Sequence, residues 1–110
     1  MVEVTYDRYQ HRLAVTGHAG GGEKGQDLVC AAVSALVLTL STNVADLVLA
    51  DKACRPVLKL GEGDSLIGCV PTPRMIPVVT LVFDTVCSGF ELLQTLYPEN
   101  IRYHIVGERL

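Results

Sequence analysis

The groups able to do chemistry are concentrated in eighteen residues, Gly17-His18-Ala19-Gly20-Gly21-Gly22-Glu23-Lys24-Gly25-Gln26-Asp27-Leu28-Val29-Cys30-Ala31-Ala32-Val33-Ser34. A thiol is a poor nucleophile and a thiolate a good one. Free N–H groups and the positive dipole end at a helix start favour the thiolate, and a nearby imidazolium favours it further. His18 stands twelve residues before Cys30. The glycines between them allow the chain to fold back so that imidazole and sulfur meet, the arrangement nucleophilic catalysis needs. Asp27, Cys30 and Ser34 are spaced by three and then four residues, which puts them on one face of a helix. Asp27 either orients His18 by accepting its second N–H or caps the helix. Ser34 either donates a hydrogen bond to the thiolate or a substrate oxygen, or bonds the carbonyl four residues back. Singly, each group has a plain structural reading: a small buried thiol, a surface histidine, a glycine connector or an anion cradle. Their joint placement is what favours a cysteine-nucleophile site.

The elements that must position these groups follow from the apolar pattern. Val2, Val4 and Tyr6 alternate with Glu3, Thr5 and Asp7, and Leu13 and Val15 continue the alternation, so residues 2–8 and 11–17 predict a hairpin. Residues 19–26 carry four glycines and predict a loop. From Asp27 to about Ala50 an apolar stretch without Pro or Gly predicts a helix, with a break near Ser41-Thr42-Asn43 as one option. Arg55-Pro56 is expected to end that region. Val57, Leu58 and Leu60, then Gly61-Glu62-Gly63-Asp64, then Leu66, Ile67 and Val70 predict a second hairpin. A second helix is expected from Met75–Pro77 to Tyr97, stopped by Pro98, and a last strand over Ile101, Tyr103 and Ile105. The order ββαββαβ predicts an α+β domain over residues 1–110: a five-stranded, mostly antiparallel sheet with both helices on one face.

Composition narrows the function classes. A chain of 110 residues, half of them hydrophobic, holds one domain with a real core. The net charge of −3 and only six aromatic residues argue against direct nucleic-acid binding. The uncharged stretch Leu28–Ala45 contains five hydroxyl or amide residues and lacks a basic flank, so it reads as a buried core helix and not a membrane span. No signal peptide is expected from Met1-Val2-Glu3-Val4. The four cysteines form no C-x-x-C pair, so no metal site and no cofactor is expected, and free thiols in a reducing compartment are. Cys54, Cys69 and Cys87 read as structural, and His11 and His104 as surface residues.

The motif Gly17-His18-Ala19, a glycine-bearing loop, Gly25-Gln26-Asp27-Leu28-Val29-Cys30-Ala31 and Ser34 resembles the signature of the bacterial ribosomal-processing cysteine protease (Prp) family. Length and element order agree over the whole chain. The resemblance implies a cytoplasmic homodimer that removes the short N-terminal extension of a large-subunit ribosomal protein precursor. It gives His18 and Cys30 the catalytic positions and Asp27 and Ser34 supporting ones. It makes the loop containing Gly20, Gly21, Gly22 and Gly25 a mobile segment that orders on the peptide. The competing reading is a non-enzymatic, ribosome-associated binding protein.

Overall fold

A computed structural model describes residues 1–18 and 26–107, with the side chains of Gln26 and Asp27 outside that description. Its elements are β1 (Val2–Asp7), β2 (Arg12–Thr16), α1 (Gln26–Leu49), β3 (Ala53–Gly61), β4 (Asp64–Pro71), a short 3-10 turn (Pro73–Met75), α2 (Ile76–Leu96) and β5 (Ile101–Val106). The predicted ββαββαβ order and the α+β class are borne out. The strands form one sheet in the order β3-β4-β2-β1-β5. Only the β1–β5 pair is parallel; the other three pairs are antiparallel. Parallel pairing of β1 and β5 requires a crossover, supplied by everything between them, whereas the two hairpins close locally.

Alternation decides which face is buried. Val2, Val4 and Tyr6 of β1 and Leu13 and Val15 of β2 point into the core, beside Ile67, Cys69 and Ile101. α1 answers with Val29, Val33, Val37, Leu40, Val44 and Leu47, and α2 with Val79, Phe83, Val86, Cys87 and Phe90. Both sets recur at three- and four-residue spacing and so form one stripe per helix. By length and composition each helix is apolar enough to cross a membrane, and only 28% and 33% of those stretches are buried, so the expected burial of Leu28–Ala45 is confined to the stripe that faces the sheet.

Three local expectations are corrected. α1 runs without a break from Gln26 to Leu49. Thr39, Thr42 and Asn43 point their polar atoms back to carbonyls four residues earlier, at 2.7, 2.9 and 2.8 Å, so they are satisfied without opening the helix. Arg55-Pro56 does not precede the third strand but lies inside it. The register slips between Cys54 and Val57, and Arg55 takes a φ of 49°. β3 is an edge strand and bulged there, which is where a sheet tolerates a residue lacking an N–H. His11, expected at the surface, is only 6% exposed. A φ of 55° turns it inward, where Nε2 hydrogen-bonds Thr80 Oγ1 at 2.7 Å and the ring meets Phe83 edge-on at 5.8 Å. His104 is exposed as expected, with Nε2 3.5 Å from the Glu3 carboxylate.

Beside His11, β1 is tied to α2 through Asp84. Tyr6 donates its hydroxyl proton to Oδ1 at 2.8 Å, and Arg8 donates from Nε at 3.1 Å and Nη2 at 3.0 Å. Partial burial would raise the Asp84 carboxyl, but the hydrogen bonds and charge of Arg8, with the Tyr6 bond, outweigh it and hold the group below its ordinary value. Burial raises the Tyr6 hydroxyl, and the Asp84 contact raises it further.

Candidate active site

His18 follows β2, and β2 pairs with β4 in a register that sets Thr16 opposite Asp64. The end of β2 therefore meets the β3–β4 turn. The Gly17 N–H donates to the Gly63 carbonyl at 3.0 Å, and the His18 carbonyl accepts from the Met1 ammonium at 2.6 Å. The backbone at His18 is held on two sides, while its side chain is exposed.

Cys30 is the fifth residue of α1, one turn in from Gln26. Burial of Val29 and Val33 on the sheet turns Cys30 and Ser34 to the exposed flank of the helix. That flank forms one wall of a cleft of about 410 Å³. The cleft is lined by His18 and Gly17 from the end of β2, by Cys30, Val33, Ser34, Val37 and Leu38 from α1, and by Leu60 to Ser65 of the β3–β4 hairpin. An exposed thiol, an exposed imidazole and a hydroxyl thus share one opening, although twelve residues separate the first two in the chain. Among the described residues the Ser34 hydroxyl makes no bond to the carbonyl four back, whereas Thr39, Thr42 and Thr85 each do. Its proton is left for the cleft.

The fold separates the four thiols by accessibility. All are free; Cys30 and Cys54 are exposed, Cys69 and Cys87 buried. Burial pushes the Cys69 thiol up to about 11 and the Cys87 thiol up to about 12, so neither reacts near neutrality. The structural reading of the other cysteines holds for this buried pair, while Cys54 is at the surface. Among the described residues no cluster of His, Cys, Asp and Glu is arranged to hold a metal ion.

The expected site residues are therefore distributed as follows. His18, Cys30 and Ser34 come together on the cleft. The Asp27 side chain and Gly20, Gly21, Gly22 and Gly25 lie outside the described residues. Sequence reasoning missed the third wall. Gly61-Glu62-Gly63-Asp64 reads as a turn and nothing more, because its place beside His18 depends on the β2–β4 pairing. Within this wall Lys59 Nζ pairs with Asp64 Oδ2 at 2.9 Å, and the Ser65 hydroxyl donates to the Gly61 carbonyl at 3.2 Å.

A two-helix α+β domain that opens a thiol and an imidazole onto one cleft holds the groups a thiol hydrolase needs. The comparisons with known proteins make the class specific. The family model for cysteine protease Prp matches residues 1–102, so the chain belongs to that family and is a cysteine protease. This sets aside the non-enzymatic reading. Among solved structures, SMU.848 from Streptococcus mutans is 31% identical, with a TM-score of 0.70 over 96% of this chain and 93% of that one. The essential ribosomal processing protease Prp from S. aureus, solved with a covalently linked product peptide, is 25% identical, with a TM-score of 0.68 over 94% of this chain and 96% of that one. A second structure of the S. aureus protease, with a substrate peptide, shares the fold at 22% identity and a TM-score of 0.69. No curated protein matches this chain.

Proposed function

We propose that this protease removes the short N-terminal extension of a large-subunit ribosomal protein precursor in the cytoplasm, with Cys30 as nucleophile and His18 as general acid and base. The observation that carries the reading is the shared cleft: His18 and Cys30 line one opening, and Cys30 is the only exposed cysteine on it. The ribosomal substrate is supported by the likeness to the S. aureus ribosomal processing protease.

The chemistry follows from those two groups. The Cys30 thiolate adds to the peptide carbonyl carbon, and the carbonyl π electrons move to oxygen. Backbone N–H groups at the start of α1 and the free Ser34 hydroxyl are the donors for that oxyanion. As the oxyanion collapses, the C–N bond breaks and the His18 imidazolium gives its proton to the leaving amine. His18, now neutral, takes a proton from water. The resulting hydroxide attacks the thioester, releasing the carboxylate and regenerating the thiolate. Asp27 orients His18 or caps the helix, and Gly20, Gly21, Gly22 and Gly25 keep the substrate-binding role that the resemblance implies. An extended segment suits the cleft. Val33, Val37, Leu38 and Leu60 offer an apolar wall for side chains before the cut, and Glu62 offers an acidic group toward basic residues after it.

Incubation with the matching precursor, followed by mass spectrometry of the product N-terminus, tests the reading. The wild type should release one N-terminal fragment. Cys30→Ala should lower the rate by about 10⁴-fold or more, and His18→Ala by about 10²–10⁴-fold. Processing by Cys30→Ala at the wild-type rate rules out the assignment.

A further inference from the structure

The β3–β4 turn takes no part in the bond making and breaking above, yet its Gly63 lies beside the imidazole. A Cβ built on Gly63 would stand 2.6 Å from His18 Nε2, 2.7 Å from Cε1 and 3.4 Å from Cδ2. Real side chains do not sit that close, so the bare backbone of Gly63 lies at contact distance from the ring. The conformation also asks for glycine, since φ is +69°. The same residue accepts the Gly17 N–H at 3.0 Å, one position before His18. The turn thus holds the main chain leading into the histidine and leaves no room for a side chain between itself and the ring. The Lys59–Asp64 pair and the Ser65–Gly61 bond brace the turn in place. An exposed imidazole without such a stop would sample several rotamers.

We propose that Gly63 is a positioning residue for His18: lacking a side chain, it lets the turn backbone rest against the imidazole and set the ring's direction into the cleft. The proposal rests on reading His18 and Cys30 as a working pair. Its occupant is the ring, so any larger residue at 63 must push either the turn or the imidazole aside. Loss of about 1 Å of alignment between reacting groups is enough to cost one to two orders of magnitude in rate.

The test reads Cys30 alkylation by iodoacetamide, site by site, by mass spectrometry on the purified full chain between pH 5.5 and 9. Gly63→Ala and Gly63→Asn should each slow Cys30 at pH 6.5 by about tenfold, as expected when the imidazole no longer faces the thiol. Cys54 should keep its rate. Asn adopts positive φ more readily than Ala, so the Asn variant separates the ring clash from backbone strain and guards against a misfolded Ala variant. Gly107→Ala introduces the same kind of strain at a φ of +71° outside the cleft and should leave Cys30 unchanged. In a His18→Ala background the Gly63 substitutions should have no further effect, because a residue that acts through the ring is silent without it. Wild-type Cys30 rates in both Gly63 variants, or equal slowing with and without His18, overturn the proposal. The two readings separate cleanly. Silent Gly63 variants beside a slow His18→Ala protein remove only the positioning role. A His18→Ala protein with wild-type Cys30 reactivity removes the pair itself, and the positioning role with it.

Discussion

His11 shows how one side chain makes a fold sensitive to protons. Burial disfavours its charged form and lowers the imidazole below its ordinary 6.5, against a smaller upward pull from the Asp84 charge; Arg8 lowers it and Asp7 raises it slightly. The unfolded chain then binds more protons than the folded one in the window below 6.5. Stability is therefore full above that value and declines as pH falls toward the lowered folded value. Asp84 adds a separate loss. Its carboxyl is lowered from 3.8, so the stability it contributes is present above that value and disappears only as pH falls through the lower folded one. Urea titrations should show a midpoint that drops between pH 7.5 and 5.5. His11→Gln, which keeps a polar partner for Thr80 without titrating, should flatten that slope. An unchanged slope in the variant would show that the proton uptake lies elsewhere. Nothing in the sequence marks this residue as buried. A lone histidine in a hairpin turn is ordinarily wet, and only the docking of α2 over the turn supplies Thr80 and Phe83.

At the scale of elements, Phe83 is the residue through which α2 sits on the sheet. It is fully buried, stacks on Tyr6 of β1 at 5.9 Å between ring centroids, and receives the edge of His11. Phe83→Ala removes the ring from between Tyr6 of β1 and His11 of the β1–β2 turn, so the cavity cannot close well. The cost should be about 3–5 kcal/mol, a large share of the roughly 5–15 kcal/mol that holds a domain of this size. Urea unfolding should show this as a lower midpoint with an unchanged slope; a loss under about 1 kcal/mol would mean that α2 relaxes into the gap. The helices, both hairpins and their order were legible because each rests on local periodicity. So was the grouping of His18, Cys30 and Ser34, which lie within one short motif and line one cleft. Strand order was not legible, since β2 beside β4 and β1 beside β5 are pairings between distant segments. The third wall of the cleft was hidden for the same reason. Pro56 misled because a proline inside a strand signals an end, unless a bulge on a sheet edge absorbs it.

The whole molecule leaves an apolar surface that the sheet does not cover. Opposite its buried stripe, α2 presents Leu81, Leu92 and Leu96 at 65%, 59% and 60% exposure, with Val78 at 43%. Their spacing puts them on one line along the outer face, interrupted only by Thr85 and Ser88. α1 likewise exposes Leu38 and Leu49 away from its core side. A soluble monomer seldom exposes a continuous apolar patch of more than a few hundred Å². A symmetric pair needs roughly 800 Å² from each partner, and the outer faces of two helices of 24 and 21 residues are the long apolar surfaces on which it would be built. A second copy of the chain, docked helix face to helix face, is therefore the expected occupant, in line with the homodimer implied by the sequence resemblance. Sedimentation equilibrium at micromolar concentration should give twice the 11.9 kDa chain mass. Leu81→Glu with Leu92→Glu would bring unpaired carboxylates into that contact and should return the protein to a single chain mass. Because both positions are exposed in the protomer, the fold itself should lose little. A wild type that remains at one chain mass across the concentration range would leave the outer faces without a self-partner.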